Sequence, residues 1–177
     1  MSPVERRRTP VEVIVNPTPV ILGLDAQMPG IGFGVLDARN GEALLAGWTA
    51  ISREGWYEQA AHAALSKASV VERGWKIYQV VVERVGGGKG IQSMLRVADA
   101  AGIVAGIAAV VWPDAPIWRP TPGEWKKGSG LKGNATKDDV RALALDLYPE
   151  GEEVRQDGLD ALLMAYAAYR ANVEAIS

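Results

Sequence analysis

Four acidic residues stand where side-chain chemistry would be expected to gather. Asp25 closes the apolar run Pro19-Val-Ile-Leu-Gly-Leu, Glu83 closes the β-branched run that starts at Lys76, and Asp157 and Asp160 lie three residues apart at the head of an apolar stretch. If the two runs are neighbouring strands, Asp25 and Glu83 emerge at one sheet edge. The i, i+3 spacing puts Asp157 and Asp160 on one face of a helical first turn, beside the positive end of its dipole. Carboxylates gathered in this way repel one another unless cations sit among them, and hard oxygen donors suit Mg²⁺ or Mn²⁺. The chain has no cysteine and a single histidine, His62, so a metal would rest on oxygen. Two such ions, roughly 3.5–4 Å apart, activate a water, steady a leaving oxygen and clamp a phosphate. Taken singly, each acid also has an ordinary reading. Asp25 and Glu83 would be strand-end turn formers, Asp157 an N-cap, and Asp160 a dipole partner.

The elements that must position these residues follow from hydropathy patterning. Pro19–Asp25, Gly30–Asp37 and Glu42–Ile51 read as three antiparallel strands, the last two joined by a turn at Asp37-Ala-Arg-Asn-Gly41. Trp56–Arg73 has helical periodicity and ends at Gly74; Lys76–Glu83 is a further strand. Gly86-Gly-Gly-Lys-Gly90 leads into an Ala-rich helix, Ile91 to Val110, and Pro116–Arg119 is a short strand. Pro120–Gly133 is expected to be a basic loop containing Trp125, before helices over Thr136–Leu147 and Asp157–Val173. The order βββαβαβαα describes an α/β domain with a mixed sheet flanked by helices. With 177 residues, 48% of them hydrophobic, one such domain is expected over 19–177. Residues 1–18, rich in Pro and Arg, read as a disordered N-terminal extension.

Charge is uneven along the chain. The net charge is −2, yet Lys89–Lys137 carries seven basic residues (Lys89, Arg96, Arg119, Lys126, Lys127, Lys132, Lys137) against three acidic ones. An acidic protein can thus present a local phosphate-binding face. Trp118 and Trp125 among these cations suit a surface that grips distorted or single-stranded DNA, although Trp118 reads better as core. Lys89 in its glycine loop would let a DNA backbone approach closely; the segment lacks the GK[ST] ending of a nucleotide phosphate loop. The longest apolar stretch, Ile103–Trp112, is too short and interrupted to span a bilayer, and the start of the chain lacks the apolar segment of a signal peptide. A cytoplasmic protein without membrane partners is the expectation.

Against this background, Ile21-Leu-Gly-Leu-Asp25 followed by Gly32-Phe-Gly-Val35 resembles the first-strand motif of the RuvC family of Holliday junction resolvases. Val80-Val-Val-Glu83 resembles the strand bearing that family's glutamate. Pro122-Gly-Glu-Trp-Lys126 with Gly133-Asn-Ala-Thr-Lys137-Asp-Asp-Val140 is similar to its basic segment, and Gln156-Asp-Gly-Leu-Asp-Ala-Leu-Leu-Met-Ala165 to its closing acidic helix. The matches keep the family's order over about Val20–Ala168. The resemblance implies a ribonuclease H-like five-stranded sheet and a Mg²⁺- or Mn²⁺-dependent endodeoxyribonuclease with two ions per active site. It implies Asp25, Glu83, Asp157 and Asp160 as metal ligands, Lys137 as a catalytic partner, and a two-fold homodimer on four-way DNA junctions. Lys126 and Lys137 would contact phosphates near the scissile bond, with Lys89, Arg119, Trp125, Lys127 and Lys132 as the wider DNA-binding surface. A dimer suits a junction, whose equivalent arms need two related incisions, and the helix over Ile91–Val110 could line its interface.

The sequence departs from the family in two places. Ala26-Gln27 stands where Pro-Gly usually follows the first acid, and the loop after Glu83 (Arg84-Val-Gly-Gly-Gly-Lys-Gly90) lacks the family's aromatic wedge. This leaves open a nuclease for flaps, mismatches or structured RNA, and a junction-binding protein that does not cut. A sugar-kinase or actin-like ATPase shares the first hairpin, but needs a second phosphate motif that is lacking here. Small size and the basic Arg6-Arg-Arg8 suit a phage enzyme, so a bacterial cell and a phage-infected host are both open.

Overall fold

The computed structural model describes residues 17–27, 30–50, 74–84 and 90–176. Within these, β1 (Thr18–Gln27), β2 (Gly30–Asp37), β3 (Ala43–Ala50), β4 (Trp75–Val82) and β5 (Ile117–Trp118) form one sheet in the order β3-β2-β1-β4-β5. β1, β2 and β3 pair antiparallel, while β4 lies parallel to β1 and β5 parallel to β4. The mixed five-stranded sheet expected from the element order is therefore present. At the β2–β3 turn, Gly41 takes a φ of 74°, open to glycine, and the Arg39 backbone N–H donates to Asp37 Oδ1 at 2.8 Å. The Arg39 guanidinium closes on the same carboxylate.

Each face of the sheet has its own apolar layer, as the period-two alternation of strand side chains requires. Val20, Leu22, Leu24 and Ala26 of β1 pack with Val80 and Val82 of β4 against α1 (Ile91–Val111), through Ala100, Ala101, Val104 and Ala108. Ile21, Leu36 and Val81 point the other way, toward α2 (Pro122–Gly128), α3 (Lys137–Leu147) and α4 (Gln156–Glu174). α4 is the hub of that layer. Leu159, Leu162, Leu163 and Met164 are all fully buried, each worth roughly 1.5–3 kcal/mol of transfer free energy. Burial on so many sides explains why α4 shows no clean polar stripe.

Glycines bring α4 close to the sheet. A Cβ on Gly23 would overlap the Ala161 carbonyl, and one on Gly34 the Leu162 backbone. These two glycines face each other across β1 and β2, forming a shallow slot for the helix.

Several expectations need correction. Pro120–Gly133 is not a plain loop, because Pro122–Gly128 is helical. Thr121 and Glu124 form a capping box in which each side chain satisfies the other's backbone N–H, and Pro122 occupies the first helical turn. α4 starts at Gln156 with Arg155 as N-cap, so Asp157 lies inside the first turn and is not the cap. A 3₁₀ turn over Pro149–Glu153, not foreseen from the sequence, leads into it. Thr18 already belongs to β1, one residue before the start expected for that strand. The expected helix over Trp56–Arg73 with His62, the extension up to Asn16 with Arg6–Arg8, and Lys89 in its glycine loop lie outside the described residues.

Candidate active site

β1 and β4 run side by side, with Leu24 opposite Val82 as the last pair of their parallel register. Asp25 and Glu83 are the next residues along, side by side where the β1–β4 pairing stops; Glu83 lies just past β4, whereas Asp25 does not end its strand as expected, because β1 continues to Gln27 paired with β2. Period-two alternation puts Asp25 on the face of Ile21 and Gly23, and Glu83 on the face of Val81, the side covered by α4. Asp25 is only 2% exposed. Across the sheet it stands opposite Gly32, which in turn stands opposite Trp48.

Gly32 determines how α4 meets this row. A Cβ there would overlap the Asp157 carbonyl and crowd the Gly158 amide, so only a residue without a side chain lets the first turn of α4 settle beside Asp25. The helix thereby brings Asp157 to the strand edge, and Asp160 follows three residues later on the same helix face. Gln156 Nε2 donates to Asp160 Oδ1 at 2.6 Å. Burial pushes the Asp160 carboxyl above the usual carboxylate range; the Gln156 hydrogen bond draws it back, the neighbouring Asp157 charge adds to the rise, and Lys126 and Lys137 oppose it.

Glu83 is held from α2, where the Trp125 indole Nε1 donates to its Oε1 at 2.8 Å. This revises the reading of Trp125 as a DNA-stacking residue: its ring is 2% exposed and packed in the α4 layer, with no face left for a base. Trp118 is likewise packed against that layer. The next residue, Lys126, lies 5.6 Å from the Trp125 ring centroid and donates through Nζ to the Ala135 carbonyl at 2.8 Å. Arg119, Lys127, Lys132 and Lys137 are exposed.

One pair at this edge has no counterpart in the sequence reading. The Arg155 guanidinium lies 3.9 Å from the ring centroid of Trp48, a cation–π stack at the start of α4. Its sequence signal is faint, since the partners are more than a hundred residues apart.

The donors are all carboxylate oxygens brought to one end of the sheet, which suits a hard divalent cation in kind. Among the described residues, no three carboxylate or imidazole side chains already stand close enough together to hold an ion. What the structure brings together is the backbone frame: two adjacent strands at the point where their pairing stops, with a helix N-terminus against them. Lys126 and Lys137 are near enough to act electrostatically on Asp160.

No family model matches the chain. In sequence, it is 29% identical over 164 residues to the crossover junction endodeoxyribonuclease RuvC of Bdellovibrio bacteriovorus, a span covering 89% of this chain and 94% of that protein. In structure, it superposes on RuvC of Thermus thermophilus with a TM-score of 0.68 at 20% identity, covering 88% of this chain and 96% of the other. The Thermus protein in complex with a Holliday junction substrate gives 0.66 at 19% identity, over 87% and 95% of the two chains. The yeast mitochondrial Holliday junction resolvase Ydc2 gives 0.54 at 13% identity, over 93% and 85%. These likenesses agree with the order of motifs along the sequence, and the chain is RuvC-like in both sequence and fold.

Proposed function

We propose that this protein is a divalent-metal-dependent endonuclease that resolves four-way DNA junctions as a homodimer. The observation that carries the reading is the meeting of Asp25 and Glu83, on adjacent strands where the β1–β4 pairing stops, with the first turn of α4 seated on Gly32. Asp25, Glu83, Asp157 and Asp160 would hold Mg²⁺ or Mn²⁺, two ions per site, which when bound supply Lewis acidity toward a phosphate and a water. The chain's own residues do the rest. Gly32 fixes Asp157 against β2, Gln156 orients Asp160, and Trp125 holds Glu83. Lys137 and Lys126 place positive charge beside the acids, where a phosphate must approach an otherwise anionic surface. Arg119, Lys127 and Lys132 extend that field along the backbone of the DNA, with Lys89 as a further contact.

The homodimer reading is supported by the outer face of α1. Leu95 is 53% exposed and Val110 82% exposed, while side chains added at Gly102 or Gly106 would meet only open space. An apolar helix face with small residues between large ones suits close packing against a second copy about a two-fold axis. Val110→Glu is expected to shift the protein from dimer to monomer in light scattering. A dimer unaffected by this change would move the interface elsewhere.

Cleavage of labelled four-way, flap and linear duplexes with Mg²⁺ or Mn²⁺ tests the function. Glu83→Gln and Asp157→Asn are expected to bind junctions while losing at least about a hundredfold in cleavage rate. Mutants that cut like the wild type would overturn the site. Equal cutting of all substrates by the wild type would leave a nuclease without junction selectivity, a reading favoured only by the missing aromatic wedge after Glu83.

A further inference from the structure

We propose that Trp125 is a positioning residue for Glu83, fixing the orientation of its carboxylate before any cation arrives. The inference rests on the nuclease reading above and concerns the support of that site.

A buried indole needs an acceptor for its N–H, and a nearby backbone carbonyl would serve for packing alone. Trp125 instead donates across 42 residues of sequence to the one carboxylate that ends β4, at 2.8 Å. The donor type matters. An indole N–H carries no formal charge and has no acceptor capacity, so it can orient a carboxylate without repelling a cation or competing for it. A lysine or arginine at this position would oppose the cation.

The helix carrying Trp125 is tied to the same strand end by other bonds. Arg84, next after Glu83, donates its backbone N–H to the Pro120 carbonyl at 2.7 Å and pairs through its guanidinium with Glu124 at 3.5 Å. Glu124 is also the capping residue of α2, bonded to the Thr121 backbone N–H at 2.6 Å. Two consecutive residues of the strand end, Glu83 and Arg84, are therefore gripped by two consecutive residues of the helix, Trp125 and Glu124. Lys126 follows directly and acts on Asp160. One short helix thus sets a neutral donor on one acid and a cation within electrostatic reach of another. Partners of this kind, one step removed from an ion, typically contribute 10–100-fold to metal affinity or activity.

The test compares wild type, Trp125→Phe and a variant carrying benzothienylalanine at position 125, which keeps the bicyclic shape but replaces the N–H with sulfur. Mn²⁺ affinity is measured by calorimetry, junction cleavage by gel assay and folding by thermal melting. Both variants are expected to bind Mn²⁺ about tenfold or more weakly, and the benzothienylalanine protein to melt close to wild type. Adding Trp125→Phe to Glu83→Ala should cause no further loss of Mn²⁺ affinity, because the effect passes through Glu83. In ¹⁵N spectra of metal-free protein, Glu83→Ala should shift one of the six tryptophan indole resonances, the one missing from the benzothienylalanine spectrum. If wild type binds Mn²⁺ and cuts junctions while the benzothienylalanine protein does both equally well, Trp125 is packing only and the proposal is overturned. If wild type itself neither binds Mn²⁺ nor cuts, the nuclease reading falls and this one with it.

Discussion

Arg155 laid over Trp48 is an interaction whose worth can be measured apart from catalysis. Arg155→Ala is expected to lower the unfolding free energy by about 1 kcal/mol, read as a lower urea midpoint; an unchanged midpoint would make the stack incidental. The capping acids give a pH signature. Glu124 and Asp139 are held below the usual carboxylate range, first by the backbone N–H groups of Thr121 and Thr136 and then by their hydroxyls. A carboxyl with a lowered folded pKa stabilises fully above its unfolded value, and its contribution disappears as pH falls through the folded one. The difference in urea midpoint between wild type and Asp139→Ala should therefore be largest near about pH 7 and shrink toward about pH 3. A difference constant across that range would contradict the capping role. At this scale the sequence is informative where chemistry coincides with a break in pattern. Asp25 and Glu83 are legible because an apolar run stops at each. Trp125 is easily misread because its partner lies 42 residues away, and composition cannot distinguish an indole that feeds a hydrogen bond from one that faces DNA.

Among the elements, α4 and the glycines beneath it decide the geometry. Gly34→Ala would drive a methyl group into the backbone of α4 at Leu162, and neither partner can yield cheaply because one is a central strand and the other a buried helix. The expected loss is about 2–4 kcal/mol in chemical denaturation. Gly102→Ala, which would meet only open space within one protomer, should instead be neutral or slightly stabilising when made in the monomeric Val110→Glu background, through helix propensity. Reversal of that order would refute the packing described for α4. Strands β1 to β4 are legible from length, β-branching and turn residues: β2 has the expected bounds, and those of the other three differ from expectation by one or two residues. α2 is hidden for a definable reason: at seven residues it is too short for periodicity, and Gly123, Gly128 and paired lysines read as loop. Its capping box, Thr121-Pro-Gly-Glu124, is the available signal. The 3₁₀ turn before α4 leaves no comparable mark.

At the scale of the whole molecule, a net charge of −2 conceals a division between an acidic strand edge and a basic flank. Junction binding should weaken steeply with salt, and replacing Lys127 or Lys132 with Gln should lower the slope of log K against log salt by about one for each phosphate no longer neutralised. A slope unchanged in both variants would remove them from the DNA surface. The α/β class and the strand pairings can be reached from the order of elements because crossover rules leave few alternatives. How α4 is seated cannot, since it depends on backbone approach at three glycines and not on any hydrophobic period. The seating has a consequence for synthesis. β1 and β2 leave the ribosome well before α4, yet the slot formed by Gly23, Gly32 and Gly34 is filled only by that helix, more than a hundred residues later. Until α4 is made, the nascent sheet exposes the apolar face that Leu159, Leu162 and Leu163 will cover, and it carries only half of the acids. The growing chain therefore depends on α4 for solubility as well as for the site. A chain stopped after Gly151 should aggregate and bind no Mn²⁺, whereas a soluble, metal-binding fragment would show that the sheet can mature without α4.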